Sequence, residues 1–122
     1  MENKSEKSNY ALNENVNFGT VKIADDVIAM IAALATAEVS GVHSLAGNEL
    51  LAKVGSTTKG VKVEINGKSV LVELSIIIKY GYNIPEVSSQ VQDKVIQAIE
   101  TMTGMDVSDV NIKVAGVEVG TR

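Results

Sequence analysis

The sequence predicts an α+β fold: a two-layer sandwich in which two helices cover one face of an antiparallel sheet, in the order β-α-β-β-α-β. Three observations predict it. Two long segments, beginning near Ala24 and Pro85, repeat apolar residues at the three- and four-residue spacing of a helix face. Between and after them, VKVEI, KSVLVELSIII and DVNIKV alternate apolar and polar residues as half-buried strands do. The 122 residues are 45% hydrophobic but only 3% aromatic, so one core built from Val, Ile, Leu, Ala and Met must lie between the layers.

The first fifteen residues, MENKSEKSNYALNEN, are polar and charged and read as a disordered tail, since they bury too little to offset their ordering entropy. They have neither the apolar core nor the cleavage site of a signal peptide. A single domain is expected over 16–119, with 120–122 as a C-terminal tail. Val16 to Lys22 alternates weakly and suggests a short first strand. Helix one is expected from Ala24 to Val39. Asp25 and Asp26 sit in its first turn, where the helix dipole favours negative charge, and Gly41 follows its last turn. Ile23, Val27, Ile31 and Leu34, widened by Ile28 and Met30, form the stripe expected to be buried. The opposite face offers Ala29, Ala32, Ala33 and Thr36, with no charge between Asp26 and Glu38. A solvated helix face normally carries charges, so either the following loop or another chain should cover it.

Val42 to Lys59 reads as a long connection with Gly47, Gly55 and the run GSTTKG, in which LLAKV suggests a helical turn. Next, VKVEI, Asn66-Gly67 and KSVLVELSIII predict a hairpin with a type I′ turn. In that register Ile65 faces Lys68, Val63 faces Val70 and Val61 faces Val72. Leu74, Ile76 and Ile78 continue the same face. Leu71, Glu73, Ser75, Ile77 and Lys79 form a mixed reverse face, and the far half of the second strand needs a further partner. YGYNIP serves as the joint into helix two: Pro85 suits the first helical position, and Gly81 and Asn83 supply the turn. Tyr80 and Tyr82 remain open to two readings, half-buried packing residues with wet hydroxyls or a contact surface. Helix two is expected from Pro85 to Met102, burying Val87, Val91, Val95, Ala98, Ile99 and Met102, with a Schellman closure at Gly104 and Met105. The last strand, Asp109 to Val119, changes parity at Ala115-Gly116, which predicts a bulge.

The residues are poorly equipped for catalysis. His43 is the only histidine, and on a strand its neighbour Ser44 should point to the opposite face. One histidine and no cysteine cannot make a zinc site, so no metal or cofactor is expected. GSTTKG lacks the Gly-Lys-Ser/Thr order of a phosphate loop. Asp25, Asp26 and Glu86 fall in first helical turns, where carboxylates are stabilised without a catalytic role. A net charge of −4 opposes phosphate tracking, and the chain has neither a G-x-x-G loop between helices nor stacking aromatics on the hairpin. The longest apolar run, Val27 to Ala37, is too short to span a bilayer, so no direct membrane insertion is expected.

From Val16 to Val119 the chain resembles the alkaline shock protein family, the Gls-type envelope stress response proteins of Gram-positive bacteria. The resemblance rests on EVSGV, the YGYNIPEV block and TGMDVSDVNIKV, within longer matches from Gly19 and from Lys59. It is weakest from Ser44 to Thr58. It implies a non-enzymatic cytoplasmic protein that self-associates and is held at the inner face of the cell membrane by a membrane-anchored, family-related partner. The family brings no catalytic residues to carry over. The interface is expected at Ala29, Ala33 and Thr36 on helix one, at Leu71 and Ile77 on the outer sheet face, and at Tyr80 and Tyr82. Two other readings are a regulator that binds an enzyme of membrane-lipid synthesis and, from the α+β layout alone, a nucleic-acid-binding module.

Overall fold

The computed structural model describes residues 21–46 and 60–120. Its elements are α1 (Asp25–Ala37), β1 (Val42–Leu45), β2 (Val61–Asn66), β3 (Ser69–Lys79), α2 (Ile84–Thr103) and β4 (Asp106–Glu118). The α+β class and the two layers hold: α1 and α2 share one buried cluster with a single face of the sheet. Residues 16–20 of the expected first strand, the tail, and the LLAKV and GSTTKG segments lie outside the described residues, and Val21 and Lys22 are not in a strand.

The strand β3 organises the sheet. Its residues Val70, Val72, Leu74, Ile76 and Ile78 are fully or almost fully buried beneath the helices. This is the expected core face, set by the two-residue period of a strand. One edge of β3 is shared end to end. The hairpin strand β2 pairs antiparallel with its first half, from Asn66↔Ser69 to Val61↔Leu74. The far half pairs with β1, through Val42↔Ile78 and Leu45↔Ile76. The partner that the long second strand required therefore comes from the segment read as a connection. Gly60 stands at the junction at φ +81°, donating nothing in side chain, and its carbonyl accepts from the Ser75 N–H at 2.9 Å.

The other edge of β3 pairs with β4, and this pairing is parallel, from Ser69↔Asp106 to Lys79↔Glu118. The expectation of a wholly antiparallel sheet is corrected here: two pairings are antiparallel and one is parallel. The reason lies in α2. Its 20 residues span about 30 Å and carry the chain back to the beginning of β3, so the next strand must run in the same direction. The bulge at Ala115 is present, since Ile76 pairs with Val114 and Ile77 with Gly116; a second irregularity lies at Ser108.

Three local details also differ. The hairpin turn is centred on Gly67 and Lys68, with Ile65 opposite Val70 rather than Lys68. Gly67, at φ +61°, takes the first central position of the loop. The register moves by two residues, which keeps every side chain on its expected face. Helix α2 begins one residue early: Asn83 is its N-cap and accepts from the Glu86 N–H at 2.9 Å, placing Pro85 second. Its C-terminal end is closed by the Gly104 N–H donating to the Glu100 carbonyl at 3.0 Å, with Gly104 at φ +76°. The Met105 N–H donates to Thr103 Oγ1, so the closure is the single-bond left-handed form rather than the Schellman form.

Candidate functional site

The orientation of α1 decides which residues are available to a partner. The helix is apolar on almost every side, so hydropathy does not select its inner face. The structure buries Ile28, Ala29, Ile31, Ala32, Ala35 and Thr36. The expected outer face is thus the inner one: Ala29 and Thr36 are sealed inside the chain and cannot serve as an interface, while Ala33 lies half-buried at the margin. Small side chains let α1 approach the sheet and α2 closely, and the distance between packed elements follows the side chains at the contact. Thr36 adds no unsatisfied group, because its hydroxyl donates to the Ala32 carbonyl at 2.8 Å.

Three of the larger residues are turned outward, while Ile28 and Ile31 stay inside. Val27 is 49% exposed, Met30 52% and Leu34 62%, although all three were assigned to the buried stripe. Met102 of α2, also expected inside, is 70% exposed. Between the helices runs a groove of ≈ 380 Å³ lined by Ile31, Leu34, Ala35, Ala98 and Met102, with Glu38 and Lys94 among its polar residues. Lys94 reaches Glu38 at 3.3 Å across the helices. The sequence holds one signal for this arrangement, the spacing of Ala29, Ala32 and Thr36, whose small volumes suit a close contact better than a solvated surface.

Tyr80 and Tyr82 separate in role. A Cβ at Gly41 would lie 2.7 Å from Cδ2 of Tyr82 and 2.8 Å from Cγ2 of Val87. The Tyr82 ring is therefore seated against a bare backbone, and the Lys79 N–H donates to the Gly41 carbonyl at 2.8 Å in the same place. The two sequence blocks EVSGV and YGYNIPEV meet here. Tyr80 has no such seat. It is 72% exposed, and its backbone N–H donates to the Glu118 carbonyl. Ile84, Val117 and Val119 are also exposed near this end of the sheet.

The outer sheet face is polar around two separated apolar residues. Leu71 stands between Glu64 and Asp109 in register, and Ile77 between Ser44 and Gly116. Both are half-buried, and six positions of one strand keep them apart, so they do not form a patch. His43 and Ser44 come closer than the strand pattern predicts: a register irregularity between Val42 and Ser44 brings Nδ1 within 3.1 Å of Oγ. The pair is on the surface, and no third side chain among the described residues is hydrogen-bonded to it. Among the described residues, no three His, Asp or Glu side chains gather as metal ligands. No helix of the described residues is long and apolar enough to cross a membrane.

Residues 13–119 match the model of the alkaline shock protein 23 family, described as of cell-envelope-related function. The chain is 32% identical over 115 residues to YqhY of Bacillus subtilis (strain 168), covering 89% of this chain and 84% of that protein. It is 30% identical over 106 residues to a "Stress response regulator gls24 homolog" of Streptococcus pyogenes serotype M3 (strain ATCC BAA-595 / MGAS315), covering 82% of this chain and 59% of that one. A solved MamM-CTD chain superposes with a TM-score of 0.52 at 9% identity, covering 78% of this chain and 100% of its own, which is a likeness of fold alone. The chain therefore belongs to the alkaline shock protein 23 family of cell-envelope-related proteins.

Proposed function

We propose that this protein is a non-enzymatic interaction protein of the envelope stress response, which associates with itself and docks onto a membrane-anchored, family-related partner at the inner face of the cell membrane. The observation that carries this reading is the outward stripe Val27, Met30 and Leu34, continued by Met102. These large apolar side chains remain in water after a full core has formed, and a contiguous exposed apolar patch of this kind is the usual mark of a contact surface. The family's envelope-related function supplies the setting. A second apolar surface, at Tyr80, Ile84, Val117 and Val119, gives the chain a separate place to meet its own copies. In this reading the exposed Tyr80 is a contact residue, and Tyr82, seated against Gly41, is chiefly a packing residue.

The two surfaces are tested separately. Light scattering is expected to show an assembly that Tyr80→Ser combined with Val119→Ser reduces towards the monomer. In intact cells, cross-linking is expected to trap an envelope partner that Leu34→Glu releases without affecting the assembly. A monomer at every concentration, together with no cross-linked envelope protein, would refute the proposal.

A further inference from the structure

The outer edge of β4 is guarded over only part of its length. Among the described residues, β4 pairs with β3 alone. A strand directs the backbone groups of successive residues to opposite edges. Glu118 points towards β3, since its carbonyl accepts from the Tyr80 N–H at 2.9 Å. Val110 points outward, and side chains take both of its backbone groups. Its N–H donates to Asp109 Oδ1 at 2.9 Å, and its carbonyl accepts from Gln92 Nε2 at 2.9 Å. The Val107 N–H likewise donates to Glu100 Oε2 at 3.2 Å. Beyond Val110 the guard stops. Alternation turns Ile112 and Val114 outward, and the bulge at Ala115 shifts the parity so that Val117 and Val119 follow them. Among the described residues, no hydrogen bond reaches the outward backbone groups of these four.

An open edge is a template for another strand, and the bulge selects the strand that fits. Two copies of this segment can lie antiparallel about a two-fold axis between Ala115 and Gly116, with their bulges opposite each other. Ile112 then faces the second copy's Val119, and Val114 faces its Val117. Outward groups meet outward groups on both sides of the axis. On the other face of the sheet, Lys113 stands opposite the second copy's Glu118, and the symmetry repeats every pair. No neighbouring register does this. A shift of two residues one way sets Val114 against Ala115; the other way sets Val117 against Gly116, and both separate Lys113 from Glu118. Val117 and Val119, 44% and 73% exposed in the single chain, gain apolar cross-strand neighbours. We propose that two copies of this chain join along the Ile112–Val119 edge, so that the sheet of one continues into the other. This rests on the self-association half of the proposed function and gives it a register.

The test is a charge swap read by sedimentation velocity of the full chain over a range of concentrations. Lys113→Glu and Glu118→Lys each turn two attractive pairs into two repulsive ones, and each should weaken association by about tenfold. The double variant Lys113→Glu with Glu118→Lys should recover it. Lys62→Glu makes the same change of charge on β2 and should leave association unaltered. Val117→Pro removes an outward N–H that β3 does not use, so it should abolish association while the monomer stays folded. Urea midpoints check folding in every variant; Lys113 faces only Ser75 within its own chain, whereas Glu118 faces Lys79. In the wild type, the amides of Ile112, Val114, Val117 and Val119 should gain exchange protection as concentration rises. Indifference to both single swaps, failure of the double variant to recover, equal weakening by Lys62→Glu, or association that survives Val117→Pro would overturn the proposal. If an assembly persists through these changes, the register is wrong and self-association stands. If the wild type is a monomer at every concentration, both are wrong.

Discussion

At Gly41 the backbone sits at φ +96° with the Tyr82 ring and Val87 closing over it. A methyl group there meets two obstacles at once, a left-handed conformation that L side chains rarely adopt and contacts shorter than van der Waals separation. Gly41→Ala should therefore destabilise the fold by roughly 2–4 kcal/mol, read as a lower urea midpoint. In a Tyr82→Ala background the same change should cost measurably less, because part of the penalty belongs to the ring; strict additivity would show that the ring is not the obstacle. Little of this was legible in advance. Gly41 was readable as the residue after a helix, and Tyr82 as part of a joint, but their contact spans 41 positions of chain. Gly60 is similar. A side chain there would strike the Ala46 carbonyl oxygen where β1 and β2 meet along one edge of β3, and nothing local in GSTTKG announces that meeting.

The helices show how far periodicity reaches at the level of the element. Helix α2 is strongly amphipathic, and its buried residues Val87, Val91, Val95 and Ile99 all belong to the expected stripe. Its start is equally local: Asn83→Ala removes the acceptor of the Glu86 N–H and should cost about 1 kcal/mol, measured by chemical denaturation. Helix α1 lacks that contrast. Its outward face carries Val27, Met30 and Leu34, which look as suitable for burial as Ile28 and Ile31 do. A pair of substitutions separates the orientations. Leu34→Gln should change stability by no more than about 0.5 kcal/mol, as surface substitutions do. Ala32→Leu should cost about 1–3 kcal/mol by overfilling a closed contact. The buried stripe expected from hydropathy requires the reverse order, so this comparison of unfolding midpoints decides the rotation of α1 and with it the location of the proposed interaction surface.

Among the described residues, β3 is the one strand paired along both edges, shared by β1 and β2 on one side and held along its length by β4 on the other. Its core residues lie under both helices. Amide hydrogen exchange should therefore be slowest over Val70–Ile78, at the rate of global unfolding, and faster in the four-residue β1; equal protection of β1 would show that the junction at Gly60 is a firmer part of the core than its length suggests. The sequence by itself determined both helices, the two hairpin strands and the last strand, which face of β3 is buried, where β4 bulges, and that the chemistry of catalysis is thinly represented. These follow from short-range period and residue type, which act over one or two turns. Only the tertiary structure decided the rotation of α1, the parallel direction of β4 and the recruitment of Val42–Leu45 to the far half of β3. Each depends on how closely separate elements approach, and an apolar surface is attracted to any neighbour that excludes water. Side-chain volume and the reach of the connecting helix then choose among the neighbours, and neither is a property of one segment alone.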